Sequence, residues 1–508
     1  MLSKVQSASL YGIDAYPVEV EVDIASRGLP HFFIVGLPDA SVKESRDRVR
    51  AALKNNGYNF PLRPVTVNLA PADLKKEGSS FDLPIAVGLT ASEGMIEQTA
   101  LKDHILTGEL SLDGRIKPVK GALSMALHAR EQGRKIILPV DNAPEAAVVQ
   151  GITVLGAETL PEVIEFLRGK GPLKQFSTDI QESMRERTIY DEDFLDVKGQ
   201  EHAKRALEVA ASGAHNALMI GPPGAGKTML SRRLPGILPP MTFEEALETT
   251  RIHSVAGILR EGKALLPTRP FRSPHHTISD VALIGGGQFP RPGEVSLSHN
   301  GVLFLDEMPE FKRSVLEVLR QPIESGDVTV SRATASITYP ARFMLVSAMN
   351  PCPCGYLGDE RHQCSCTPSQ IIRYRARVSG PLLDRIDIHI EVPAVPFKDL
   401  RAEEMGERTS DIRERVIEAR ERQLKRFEGQ GLYANGQMKA RHIKKYCKLD
   451  PKAQSLLDTA TQKLGLSARA YTRVLKLSRT IADMEGKEDI EPHHISEAIQ
   501  YRSMDRAF

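Results

Sequence analysis

Long apolar runs, net charge and cysteines are all scarce in this 508-residue chain, and each shortage excludes a class of protein. No stretch approaches the roughly 18 to 20 apolar residues that span a bilayer, so no membrane partner is expected. The opening MLSKVQSASLYGID lacks the apolar centre of a secretory leader, which points to the cytoplasm. A net charge of +2 gives no global field to draw in nucleic acid, so any such contact must come from local clusters of Arg and Lys. Five cysteines in a chain read as cytoplasmic do not make a disulfide framework; where they cluster, metal or redox chemistry is indicated. Neither an internal repeat nor a low-complexity tract is present. With 41% hydrophobic and 26% charged residues the chain is globular, and its length calls for two or three cores.

What is present is an alternation of strands and helices. Residues 1–170 mix short apolar runs (FFIVGL, VTVNLA, IILPV) with helical patterns such as that beginning at Ala122, and read as an α/β domain. Residues 171–195 are polar and acidic with little apolar periodicity, and read as a linker. In residues 196–393 the runs NALMI, GVLFL, RFMLVSAM and IDIHIEV recur between helical stretches, the pattern of a parallel sheet. Residues 394–508 turn helical. Ser410 is a candidate cap for a helix whose apolar stripe runs Ile412, Val416, Ile417, Leu424 and Phe427, its mixed charge forming a solvated face. Asp450 before Pro451, Gly465, Ser467 and Gly486 punctuate the helices that follow.

The strand NALMI runs into GPPGAGKT, which is Gly221, Pro222, Pro223, Gly224, Ala225, Gly226, Lys227 and Thr228. This is the P-loop pattern between a strand and a helix. Backbone N–H groups in such a loop converge on phosphates at a helix N-terminus. Lys227 is expected to reach the β- and γ-phosphates of ATP, and Thr228 to hold Mg²⁺. The strand GVLFL ends in Asp306 and Glu307. Asp306 suits the metal's water shell, and Glu307 suits polarisation of the attacking water. Asn350 ends the strand RFMLVSAM at the sheet's carboxyl edge, where a polar side chain can orient that water.

Residues 325–339 (SGDVTVSRATASITY) carry two period-2 patterns around a turn near Arg332, a hairpin signal. The preceding segment 260–291 carries Lys263, Arg269, Arg272, His275, His276 and Arg291 and is too long for a simple loop. Cys352, Cys354, Cys364 and Cys366 form C-x-C-x₉-C-x-C, four sulfurs that can complete a tetrahedral zinc shell, with His362 as a substitute ligand. Reduced thiols and an iron–sulfur cluster are the other readings. Cys447 stands alone, as a packed small hydrophobe does.

GPPGAGKT, LFLDEMPEF, SAMNPCPCG, SGPLLDRIDI and SARAYTR, in this order, resemble the magnesium-chelatase-like AAA+ proteins of the ComM family across essentially the whole chain. The resemblance implies a Lon-protease-like N-terminal α/β domain (1–170), a linker (171–195), an AAA+ parallel-sheet core (196–393) and a helical lid (394–508). It implies that Asn350 is sensor 1, that Arg385 is an arginine finger inserted into a neighbour's site, and that Arg469 is sensor 2, with Arg473 as a rival. Those roles require a ring, expected to be a hexamer. Ser80 falls at the Lon serine position, but Leu123 stands where the catalytic lysine would be. A serine without its base is not activated, so peptidase activity is not expected, with Lys120 the nearest amine in sequence. In similar ATPases the hairpin and the 260–291 insert line the pore, which makes Arg332, Arg269 and Arg272 candidate DNA contacts. The expected function is an ATP-driven DNA motor, a branch-migration helicase in the integration of transformed DNA. The alternative is a chelatase-like ATPase that works on a protein partner.

Overall fold

The computed structural model describes residues 1–185, 192–260, 262–287, 290–332, 335–359, 361–395 and 406–502, the side chains of 185 and 332 and 335 excepted. It divides into two compact units, Met1–Arg187 with Phe243–Pro267, and Thr188–Thr242 with Thr268–Phe508.

The first unit is built on an eight-stranded mixed sheet, ordered Lys174–Phe176, Val154–Ala157, Lys135–Pro139, His104–Leu106, Leu2–Tyr11, Asp14–Ile24, Val65–Ala70 and Phe32–Val35. Period-2 alternation sends Val18, Val20 and Val22 inward from the second strand, where they meet the buried helix Asp82–Ser92. Lys174–Phe176 pairs antiparallel with Val154–Ala157. The sequence places these residues in the linker, because three polar-rich residues at a sheet edge carry no apolar period; only backbone pairing makes them a strand. Helix Phe243–Ala256, read from sequence as part of the AAA+ core, also packs in this unit. Phe243, Leu247 and Leu265 join a cluster with Ala8, Met125 and Ala146. Glu145, which is buried, accepts from Leu123 N at 2.9 Å and from the Ser254 hydroxyl.

The second unit holds a five-stranded, all-parallel sheet ordered Phe271–Arg272, Val302–Leu305, Met344–Met349, Ala217–Ile220 and Ile388–Glu391. The three central strands are buried along their whole length, which is why they read as continuous apolar runs rather than alternating ones. Helix Thr409–Arg426 docks on helix Glu201–Gly213 partly through polar groups. Arg420 and Gln423 donate to the carbonyls of Ala211 and Ser212 at 3.0–3.2 Å, satisfying a helix C-terminus. The expected cap Ser410 lies inside this helix; Arg408 is its N-cap, and the Ser410 hydroxyl turns to Asp411. The other punctuation stands: Asp450 and Ser467 cap Ala453 N and Ala470 N at 2.6 and 3.1 Å, and Gly465 closes its helix with φ +63°. Cys447 is packed in the apolar core, and burial pushes its thiol up to about 12. Among the described residues no helix is long and apolar enough to cross a membrane.

Candidate nucleotide site

Parallel register brings three loop-bearing strand ends to one sheet edge. Ile220 pairs with Met349, so Gly221 and Asn350 leave the sheet side by side, and Leu305 pairs with Ser347 one strand further on. Lys227 opens the helix Lys227–Ile237, and its ammonium donates to Gly221 O (2.7 Å), Pro222 O (2.9 Å) and Asn350 Oδ1 (3.1 Å). All three of its donors are thereby used. Burial lowers its pKa, against the attraction of Asp306 and Glu307. Thr228 Oγ1 donates to Asp306 Oδ2 at 2.7 Å. Ala225 is buried in this loop, Pro222 is half-buried, and Pro223 and Gly224 face solvent. Gly224 and Gly226 turn the loop at φ +75° and +87°. Gln200 Nε2 braces the loop by donating to Ala225 O at 2.5 Å. Sequence reading missed Gln200, which lies outside any motif.

Glu307 sits at φ +51°, its side chain largely exposed, with its N–H on Asp306 Oδ1 at 3.0 Å. His276 Nδ1 stands 3.9 Å from Glu307 Oε2, and the His275 ring lies 4.1 Å from that of His276. The two histidines are therefore neighbours of the acidic pair rather than of the cysteines.

The arginines form a separate network. Arg385 is buried, donating to Pro381 O at 2.5 Å and pairing with Glu324 at 2.7 Å. Arg469, half exposed, reaches the same Glu324 oxygen at 3.5 Å. Arg473 is committed elsewhere, paired with Asp387, whose other oxygen accepts Asn216 N at 3.0 Å and faces His215 at 3.5 Å. Burial acts to raise the Asp387 pKa, but Arg473 and His215 overrule it and hold the carboxyl far below its usual range.

The four sulfurs meet. Cys352 Sγ lies 3.4 Å from Cys354 Sγ and 3.7 Å from Cys364 Sγ, Cys354 Sγ lies 3.5 Å from Cys364 Sγ, and the Cys354 N–H donates to Cys366 Sγ at 3.3 Å. A tetrahedral ion with bonds of about 2.3 Å places its sulfurs about 3.8 Å apart, so this set fits one zinc-sized ion and is too tight for a cluster of several irons. The thiols show the crowding that a dication relieves. A hydrogen bond from the Tyr356 backbone brings Cys354 down to about 5. The Cys354 N–H favours a Cys366 thiolate too, yet desolvation and the neighbouring sulfurs outweigh it and push Cys366 up to about 12. His362 is exposed, 3.5 Å from Asp359, and outside the sulfur group. A second candidate cluster, Glu485 with His493 and His494, is a hydrogen-bonded cap. His494 Nδ1 accepts Glu491 N–H at 2.8 Å, so its Nε2 carries the proton, which points at Glu485 and leaves no lone pair for a metal.

Two of the three DNA-contact candidates have partners within the chain. Arg269 donates to Pro239 O (2.8 Å), Asn300 O (2.7 Å) and Pro240 O (3.2 Å). Arg272 forms a bidentate pair with Glu294 at 2.6 and 2.7 Å. The side chain of Arg332 lies outside the described residues, although its backbone ends the strand Asp327–Arg332, which pairs with Ala335–Pro340 as the expected hairpin. One face of that hairpin buries Val328, Val330 and Tyr339; the other carries Thr329 against Thr338 and Ser331 against Ser336, each at 2.9 Å. In the first unit, Leu123 is enclosed in the apolar core, and Ser80 O accepts Gly108 N at 3.0 Å. The Lys120 stem runs beside Gly257, where a Cβ would lie 2.5 Å from Lys120 Cε.

The family comparisons agree with this architecture. Residues 193–400 match the family described as magnesium chelatase, subunit ChlI; residues 20–142 match subunit ChlI of Mg-chelatase, and residues 406–502 its C-terminal family. The chain is 46% identical over 512 residues to "Competence protein ComM" of Haemophilus influenzae, covering 99% of this chain and 98% of that protein. It is 46% identical over 506 residues to "Uncharacterized protein YifB" of Escherichia coli, with the same coverage. The "Magnesium-chelatase 38 kDa subunit" of Rhodobacter capsulatus is 28% identical over 45% of this chain and 69% of its own length. With a P-loop, an acidic strand end and a polar strand end on one parallel sheet, and full-length likeness on both sides of it, the chain belongs to the magnesium-chelatase-like AAA+ ATPases of the ComM family.

Proposed function

We propose that this ATPase is a ring-forming motor that acts on DNA, as a branch-migration helicase in recombination or in the integration of transformed DNA. The observation that carries the ring is the division of its charged residues. Lys227 bonds Asn350 and the adjacent Thr228 bonds Asp306, whereas Arg385 and Arg469 meet on Glu324 and, among the described residues, form no hydrogen bond or ion pair with any of the four. That separation supports a role for both arginines at a neighbouring copy's site. The full-length likeness to a protein named for competence supports DNA as the cargo.

The hydroxyl of Thr228 and the carboxylate of Asp306, 2.7 Å apart at the mouth of the loop, fit Mg²⁺. When bound, the metal supplies a Lewis acid on the phosphate oxygens. Lys227 leaves the carbonyls of Gly221 and Pro222 for the β- and γ-phosphates, exchanging neutral acceptors for charged ones. Glu307 orients the attacking water and draws its proton, and Asn350 Oδ1 accepts that water's second hydrogen. Arg385 of the partner subunit neutralises charge on the departing phosphate, with Arg469 beside it; a finger in trans is worth roughly 10³ to 10⁵ in rate. The four cysteines hold a structural zinc that stiffens the loop between Asn350 and Arg385.

The test is ATPase rate against single-stranded, duplex and four-way-junction DNA, with Lys227→Ala and Glu307→Gln as inactive controls. Junction DNA is expected to stimulate hydrolysis and to bind in a salt-dependent way. Flat rates without salt-sensitive binding overturn the DNA reading. A stoichiometric protein partner that stimulates hydrolysis where DNA does not favours the alternative suggested by the chelatase subunit, a protein-remodelling ATPase.

A further inference from the structure

Glu324 belongs to no nucleotide motif, yet three structural elements converge on it. It lies in the last turn of the helix Arg320–Ser325, which Gly326 ends before the hairpin Asp327–Arg332 and Ala335–Pro340 begins. That junction is stitched tight. Gly326 N donates to Pro322 O at 2.9 Å, Ala341 N to Gly326 O at 2.8 Å, and the Ser325 hydroxyl bonds Gln321 O (3.1 Å) and Asp327 Oδ1 (2.9 Å). These bonds tie the base of the hairpin to the helix end that carries Glu324.

One carboxylate oxygen of Glu324 is shared by Arg385 at 2.7 Å and Arg469 at 3.5 Å. Among the described residues it is the only carboxylate within ion-pair distance of either. Arg385 needs that partner most. Its side chain is only 5% exposed, its second contact is a neutral carbonyl, and its Nε has no acceptor. A buried guanidinium with an unsatisfied N–H is held in place by its counter-ion and is costly to leave without one. Glu324, at 46% exposed, is by contrast an accessible and weakly desolvated partner. A triphosphate presented by a neighbouring copy carries more charge than this single shared carboxylate and outcompetes it, provided the arginines can reach it.

We propose that Glu324 is a positioning residue: it yokes Arg385 and Arg469 at the root of the hairpin, holds them back from the neighbouring nucleotide, and releases them when nucleic acid displaces the hairpin. The proposal rests on the ring reading above and adds the device that makes one subunit's grip on its cargo raise the hydrolysis rate next door. Coupling then runs through a single carboxylate and two guanidiniums.

The test uses the full-length protein and reads the ratio of DNA-stimulated to basal ATPase rate. Glu324→Gln keeps the shape and removes the charge. It is expected to raise the basal rate about three- to fivefold, the strength of a half-exposed ion pair, and to bring the ratio close to one. Glu324→Asp, which keeps the charge, is expected to retain most of the stimulation. Arg385→Ala in the Glu324→Gln background is expected to abolish the gain, which shows that the effect passes through Arg385. A merely structural salt bridge gives a lower melting temperature with an unchanged ratio, and that result, or a fall in basal rate at an unchanged melting temperature, overturns the proposal. Failure of the ring reading shows separately: Arg385→Ala alone then retains the wild-type rate whatever residue stands at 324. Should no DNA stimulate the wild-type protein, the basal rates of the Gln and Asp variants decide the role of Glu324 by themselves.

Discussion

Gly355 and Gly358 lie in the same cysteine loop and have nearly the same backbone, φ +89° and +81°, yet only one of them touches the nucleotide site. A Cβ on Gly355 would lie 2.5 Å from Pro223 Cδ and 2.7 Å from Cγ, whereas one on Gly358 meets nothing within 4 Å. Alanine at either position carries the left-handed backbone cost of about 1–2 kcal/mol, which the pair of variants cancels. What remains at Gly355→Ala is the overlap with a proline ring fused to the P-loop backbone, which no side-chain rotation relieves. Overpacking of this kind costs about 1–3 kcal/mol, and here it is relieved by displacing Pro223, the loop that must close on phosphate. If that displacement is undone on binding, ATP affinity falls by roughly 5- to 150-fold. Titration of a fluorescent ATP analogue, with melting temperatures measured without nucleotide, is expected to show similar losses of stability in both variants but a weakened Kd only in Gly355→Ala. Equal dissociation constants would refute the claim that the cysteine loop buttresses the P-loop.

Metal analysis of purified protein is expected to give about one zinc per chain, lost in Cys352→Ser; much less than one in the wild type removes the zinc assignment. Arg473→Ala strands the buried carboxylate of Asp387 and is expected to destabilise by about 3–5 kcal/mol, seen as a lower denaturant midpoint, while Arg469→Ala leaves the midpoint unchanged and lowers the ATPase rate. Because the Asp387 pKa is depressed in the folded state, its stabilisation is fully present above the usual aspartate value of about 4 and is lost as pH falls below it. The stability gap between wild type and Asp387→Asn is therefore expected to narrow from pH 7 to pH 3, and a constant gap contradicts the assignment. Casein incubated with the protein is expected to stay intact, because Leu123 offers Ser80 no amine; degradation abolished by Ser80→Ala reverses that conclusion.

The parts of this molecule legible in its sequence are those whose chemistry is local. GPPGAGKT is readable because a phosphate cradle needs its residues consecutive, and Asp306 and Asn350 because a buried strand ending in a polar residue marks the carboxyl edge of a sheet. The four cysteines are readable as two short pairs. What escaped was decided by pairing across the chain. The partners of Arg269 and Arg272 within the chain, Pro239, Asn300 and Glu294, carry no sequence signal, since no spacing rule announces a carbonyl 30 residues away. Glu324 and Gln200 carry no signal of their own, since their partners lie on distant elements of the chain. Lys174–Phe176 shows the same limit for secondary structure, an edge strand made by its neighbour's backbone.

Asn350 marks where these observations meet. Its side chain is held by Lys227 at 3.1 Å, and two residues later the chain enters the sulfur cluster through Cys352, which is fully buried. The water-orienting role proposed for this amide requires placement to within a fraction of an ångström, yet Asn350 opens a long connection, where chain entropy favours drift. The P-loop anchors it on one side only. A tetrahedral ion held by Cys352, Cys354, Cys364 and Cys366 would close that connection into a short rigid loop, and Gly355 lies against Pro223 on the P-loop. The proposed zinc would thus act on what lies directly before it in the chain: it would hold the second side of the amide proposed to orient water, whose first side is the lysine of the P-loop.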